Sequence, residues 1–245
     1  MKVRAKLLTL LLLATPAVPA LALSASAATG LRTVMRYTFD AGPTATGRIA
    51  DLSGVAAPLV MRTVDGGVIR FLRTTTGRYV GFPAPCARTA TTCPRALFEA
   101  PDNANLDPGT NPFRWGATVY VKQWQVIGSS NVMQKGVSDT QSQWKLQVGA
   151  NRGKAQCVVV GRGSSQAYVA RSSVTVADGT WHRVLCRRAG ASLVVYVDGV
   201  VRGQAAIPAT LEIGNDMPVR IGGPNFNTTS DMYHGYLDDV IAVAG

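Results

Sequence analysis

Apolar and polar positions alternate over short runs along most of this chain, and almost nowhere recur at the three-to-four spacing of an amphipathic helix. The pattern predicts strands at residues 34–39, 68–71, 79–82, 117–122, 144–148, 156–160, 174–176, 181–187, 193–197, 219–221 and 237–243. Turn chemistry falls between them, at Asp65-Gly66, Asp178-Gly179 and Asp198-Gly199. Residues 193–202 read as a hairpin, with Leu193, Val195 and Val197 on one face and Asp198-Gly199 supplying the positive φ angles of a tight turn. Trp181 is expected to cover one end of the core, with Val184 pointing inward. Many short strands with regular turns imply an all-β sandwich or jelly roll of two antiparallel sheets. The least regular stretch, 84–112, carries five prolines, two cysteines and the polar run Asp102-Asn103-Ala104-Asn105; it reads as a long surface excursion.

The N-terminus is different in kind. Lys2, Arg4 and Lys6 precede an apolar run, and small residues follow up to Ala28. That run is too short to span a bilayer, so residues 1–28 are expected to be a secretory signal cleaved near Ala28, and no membrane insertion is expected. The remaining 217 residues, 29–245, suit one large β domain. An exported chain with four cysteines implies two disulfides, for which three connectivities exist. The favoured one joins Cys86 to Cys93, closing a short loop, and Cys157 to Cys186, in two strand-like runs expected to lie side by side. Zinc spacing is absent from the cysteines and histidines.

Charge narrows the partners. The full chain is +11; without Lys2, Arg4 and Lys6 it is +8, carried mostly by arginine. Such a surface favours anionic partners, an acidic polysaccharide or cell-surface polymer among them. The arginines are scattered, and only Arg187-Arg188 are adjacent, so no nucleic-acid partner is expected.

Several segments, in order, resemble laminin-G-like and concanavalin A-like jelly-roll domains of the secreted bacterial type. Asp178-Gly179-Thr180-Trp181-His182-Arg183-Val184 followed by Leu193-Val194-Val195-Tyr196-Val197-Asp198-Gly199 is similar to the family's central signature. Ile221-Gly222-Gly223 and His234-Gly235-Tyr236-Leu237-Asp238-Asp239-Val240 resemble its closing pattern, and Tyr37-Thr38-Phe39-Asp40 with Asp51-Leu52-Ser53-Gly54 its opening. Met133-Gln134-Lys135-Gly136 and Trp144-Lys145-Leu146 look like a mid-chain segment of secreted members, in which a bridging cysteine pair falls where Cys157 and Cys186 stand. The resemblance implies a structural calcium ion held by Asp40, Asp51 and Asp238, with Asp239 beside them. It also implies a lectin-like or adhesion module, although the fold houses glycan hydrolases too.

Catalysis would need paired carboxylates. After the signal the only glutamates are Glu99 and Glu212, and no acidic cluster surrounds either, so no catalytic residue is assigned. Two alternatives stand beside the binding module: a polysaccharide hydrolase of the same fold, and a protein-interaction module without a glycan. Glycan recognition needs aromatic platforms and amide or carboxylate groups. The candidates are Trp124, Trp144 and Tyr168, and the loop 224–233 with Asn225, Asn227, Asp231 and Tyr233. That loop also holds the glycosylation sequon Asn227-Thr228-Thr229.

Overall fold

The computed structural model describes residues 30–245 except 88, 139–141, 150, 228 and 229, so the signal segment and the last two sequon positions lie outside the described residues. Among the described residues sixteen strands form two sheets, and every pairing is antiparallel. The first sheet takes β1 (Arg32–Tyr37), β4 (Arg70–Arg73), β5 (Arg78–Gly81), β7 (Phe113–Lys122), β12 (Asp178–Ala189), β13 (Ser192–Val197), β14 (Val200–Ala206) and β16 (Tyr236–Ala244). Its order is β14-β13-β12-β7-β16-β5-β4, with β1 also on β16. The second sheet takes β2 (Arg48–Ile49), β3 (Leu59–Val64), β6 (Arg95–Ala100), β8 (Ser129–Val137), β9 (Ser142–Gly149), β10 (Lys154–Val160), β11 (Ala167–Thr175) and β15 (Val219–Ile221). Its order is β11-β10-β9-β8-β15-β6-β3-β2. The chain switches sheets repeatedly, which makes the architecture a jelly-roll sandwich.

The inward faces meet in one apolar cluster containing Trp115, Trp144, Phe98, Phe113, Val119, Leu146, Val195 and Leu237. Alternation along each strand explains it: in β7, Ala117, Val119 and Val121 are buried while Thr118, Tyr120 and Lys122 face out. Turn chemistry follows the dipeptides. Asp65 (φ 52°) with Gly66 (φ 74°), and Asp198 (φ 53°) with Gly199 (φ 79°), take the paired positive φ angles of tight turns.

Four expectations need correction. Asp178-Gly179 does not break the chain; it opens β12 at a bulge, where the register on β7 shifts between Asp178 and Trp181. That shift keeps Trp181 on the outer face opposite Tyr120, 40% exposed, rather than over the core. The excursion 84–112 contains a strand, β6, whose Ala96, Leu97, Phe98 and Ala100 are buried despite the prolines on either side. Cys157 and Cys186 are bonded, but β10 and β12 belong to different sheets, so the bridge staples the sandwich through its core instead of joining neighbours. Cys86 and Cys93 form the other bond.

Candidate functional site

Two elements enclose a groove of about 790 Å³ on the outer face of the first sheet. One wall is the chain between β5 and β6, from Pro83 to Pro94, which the Cys86–Cys93 bond closes on itself. The other is a single 3-10 turn, Gln123–Gln125, which follows β7 and presents Trp124 at 63% exposure. The turn is tied down at both ends. Gln125 Oε1 accepts from the Lys122 amide at 2.8 Å, and Gln125 Nε2 donates to the His234 carbonyl at 2.6 Å. His234 Nδ1 lies 2.7 Å from the Pro83 carbonyl, linking the two walls. Burial pushes the His234 pKa down despite that carbonyl, so the imidazole is a neutral brace between them.

The floor is aromatic. Tyr120 and Tyr236 line it, cross-strand partners whose ring centroids are 5.3 Å apart and nearly parallel. Tyr79 and Trp181 extend the surface beyond the groove: Tyr79 lies 5.3 Å from Tyr236, Trp181 lies 5.6 Å from Tyr120, and the two are 5.2 Å from each other. The result is a closed quartet from four adjacent strands, each ring partly open to solvent. Gly81 makes room for it, since a Cβ there would stand 3.0 Å from the Tyr236 ring. Arg70 and Lys122, both exposed, border the groove, and no carboxylate lies among its described lining residues.

Of the sequence candidates, the groove takes only Trp124. Trp144 is fully buried, packs on Phe113 and Trp115 and donates its indole N–H to the Leu106 carbonyl at 2.9 Å; it belongs to the core and offers nothing to a ligand. Tyr233 is likewise fully buried, with its hydroxyl donating to the carbonyls of Tyr120 and Tyr236, and burial drives its pKa far up. It holds the strands under the platform. Tyr168 packs partly buried against the core. Asn225 is spent within its own loop, accepting from the Asn227 amide and from Ser230, while the carbonyls of Phe226 and Asn227 accept from Arg95. Asp231 Oδ1 accepts from the Ser129 amide at 3.2 Å and borders the opposite sheet. The platform residues Tyr79, Tyr120 and Tyr236 escaped sequence reasoning. The signal was clearest at Tyr120, which stands between the inward Val119 and Val121.

The three predicted calcium ligands do not act alike. Both Asp51 oxygens are committed to a turn, accepting from the Arg36, Val55 and Ala56 amides and the Ser53 hydroxyl. Asp238 stands at a bulge, where the register of β16 on β7 shifts and Asp239 takes φ 45°. Burial, then the charges of Asp239 and Asp40, push its carboxyl up to about 6. Asp40 Oδ1 accepts from the Arg78 amide. Among the described residues no three acidic, histidine or cysteine side chains converge as a ligand set. Both glutamates of the described residues are paired with arginine: Glu99 with Arg62 and Arg220, Glu212 with Arg162. Burial tends to raise the Glu99 pKa, but the two guanidiniums outweigh it and hold it low, the opposite of what a general acid requires.

No curated protein matches this chain significantly. Solved structures similar to it include domain 4 of AbnA, a GH43 extracellular arabinanase from Geobacillus stearothermophilus in complex with arabinotriose. That likeness has a TM-score of 0.65 at 16% identity, covering 88% of this chain and 93% of that one. The binding domain of Paraclostridial Mosquitocidal Protein 1 superposes with a TM-score of 0.62 at 11% identity, over 87% of this chain and 48% of that one. A botulinum neurotoxin type C structure, whose cell entry depends on two ganglioside molecules, gives 0.60 at 9%, over 86% and 47%. This chain thus spans about half the length of the two toxin chains. At these identities the likeness is one of fold. A family model described as the concanavalin A-like lectin/glucanases superfamily matches residues 100–242, more than half of the sequence and most of both sheets. The chain is a member of the concanavalin A-like lectin/glucanases superfamily.

Proposed function

We propose that this protein is a secreted, non-catalytic carbohydrate-binding module whose groove prefers anionic glycans. One observation carries the reading: an open aromatic quartet runs into a groove with Trp124 on one wall, and Arg70 and Lys122 border it without a lining carboxylate. Sugar rings present C–H faces that stack on exposed aromatics, and a single buried or stacked aromatic anchor commonly dominates an interface. The guanidinium and ammonium groups select for carboxylate or sulfate on the sugar. The arabinanase domain was solved with arabinotriose, and the type C neurotoxin interacts with gangliosides, so modules of this shape do carry glycans. Secretion rests on the N-terminal segment and the two disulfides.

A glycan-array screen of the oxidised chain 29–245 tests the reading. It predicts saturable binding to uronic-acid or sulfated glycans, stronger at low than at moderate salt. Silence across the array would overturn it in favour of a protein-interaction module.

Calcium is part of the same proposal, in reduced form. Burial and the charges of Asp239 and Asp40 disfavour the Asp238 carboxylate, and a cation there would relieve that, whereas both oxygens of Asp51 are already hydrogen-bonded. Asp40 and Asp238 would hold the ion and it would tie the end of β1 to β16. Millimolar calcium is then expected to raise the melting temperature of the wild type but not of Asp238→Asn. An unchanged melting temperature in both would remove calcium from the account.

A further inference from the structure

The outer face of the second sheet carries a feature the groove does not explain. Asn131 of β8, Gln147 of β9, Gln156 of β10 and Arg171 of β11 are direct cross-strand partners in one row across four strands. Beside it, Gln134, Lys145, Val158 and Val169 form a second row, and Gln143 belongs to the next. The β9, β10 and β11 members of these rows line a trough of about 740 Å³, to which β8 contributes Ser129 beside Gly128.

Most of these amides partner one another. Asn131 Nδ2 donates to Gln134 Oε1, Gln134 Nε2 and Gln143 Nε2 donate to the Gly136 carbonyl, and Gln147 Nε2 donates to Gln156 Oε1 at 2.7 Å. The network is incomplete in one direction only. Asn131 Oδ1 and Gln147 Oε1, on residues 1% and 7% exposed, have no partner. A buried acceptor left unmatched is costly, and a ligand hydroxyl would recover that cost at Gln147, which lines the trough. Lys145 lines the same trough, and burial holds its pKa down despite Asp231 nearby, so this ammonium too is under-compensated. Arg171 is the other cation on the lining, and no acidic residue belongs to the described lining.

We infer that this trough is a second ligand site, for a polyhydroxylated acid such as a uronic-acid oligosaccharide. Sugar hydroxyls donate to Gln147 Oε1, and the sugar carboxylate accepts from Lys145 and Arg171. No aromatic belongs to its described lining, so recognition there is by hydrogen bonds and charge, unlike the stacking groove on the opposite sheet. Two sites on opposite faces of one sandwich would let a single chain bridge two polymer strands.

Titration of the 15N-labelled chain with tetragalacturonate, and separately with neutral maltotetraose, tests the assignment by NMR. Tetragalacturonate is expected to shift the Gln147 and Gln156 side-chain amides and the β8–β11 backbone, and to do so equally in Trp124→Ala. Lys145→Gln is expected to weaken that binding at least tenfold. Gln147→Leu is expected to weaken it similarly, with the melting temperature measured alongside to confirm that the variant is folded under the titration conditions. Absence of shifts in these amides overturns the inference, even if the groove binds. Shifts that vanish in Trp124→Ala, or maltotetraose binding as tightly, overturn it as well.

Discussion

At the residue scale, His182 shows why a fold signature contains a histidine. Its Nδ1 lies 2.8 Å from Asp198, in the β13–β14 turn, and its Nε2 lies 3.1 Å from Asp178, at the bulge that starts β12. Burial opposes the imidazolium, yet the bonds and charges of Asp198 and Asp178 outweigh it and raise the His182 pKa. A group whose folded pKa is raised contributes stability that is complete below its ordinary value near 6.5 and is lost as pH rises through the raised one. His182→Gln should therefore cost about 1–2 kcal/mol near pH 5.5 and much less at pH 9. Thermal melts across that range check it, and a pH-independent difference would contradict it. Lys135 behaves differently, because it is fully buried with Asp102 at 2.8 Å and Asp107 at 2.5 Å. Lys135→Met leaves both carboxylates without their cation. It should cost about 3 kcal/mol, or roughly 6–12 °C in melting temperature at this chain length.

At the element scale, the two disulfides should separate stability from binding. Cys157–Cys186 closes a separation of 29 residues and Cys86–Cys93 one of 7. Chain entropy alone makes the first worth about 3.6 kcal/mol and the second about 2.4 kcal/mol. The double variant Cys157→Ala/Cys186→Ala also loses its staple between the sheets, so its melting temperature should fall further, with glycan affinity kept in the folded fraction. Cys86→Ser/Cys93→Ser loosens the groove wall, and should lower affinity at least severalfold at temperatures where the sandwich remains folded. Denaturant melts paired with titrations decide both. The strands themselves were unevenly legible. Those with β-branched alternation, such as β7, β10 and β13, stand out in the sequence. β8 does not, because Asn131, Gln134 and Lys135 make it polar; its amides bond to one another and to the Gly136 carbonyl, and its lysine is neutralised by a distant loop. β6 is hidden between prolines.

At the scale of the whole molecule, the fold was readable from local patterns because turns, alternation and signature segments each act within a few residues. The candidate site was not. Tyr79, Tyr120, Trp181 and Tyr236 lie on four strands far apart in sequence, and only the order β12-β7-β16-β5 and its register make them neighbours. Trp124 was identifiable as a lone aromatic outside a strand, whereas Trp144 and Tyr233 misled because composition does not distinguish an inward aromatic from an outward one. Net charge acts at this scale too: the basic surface should speed capture of acidic polymers at low salt, an effect that fades as the screening length shortens to about 8 Å at 0.15 M.

The most direct test is calorimetric titration of the oxidised chain with tetragalacturonate, for wild type, Trp124→Ala and Tyr120→Ala, at low and moderate salt. Trp124 is largely exposed, so its removal should change stability by less than about 0.5 kcal/mol. The account predicts that each variant remains folded and weakens binding at the groove at least tenfold, while wild-type affinity falls with salt. Wild-type binding that both variants retain in full would contradict the aromatic groove as the recognition site.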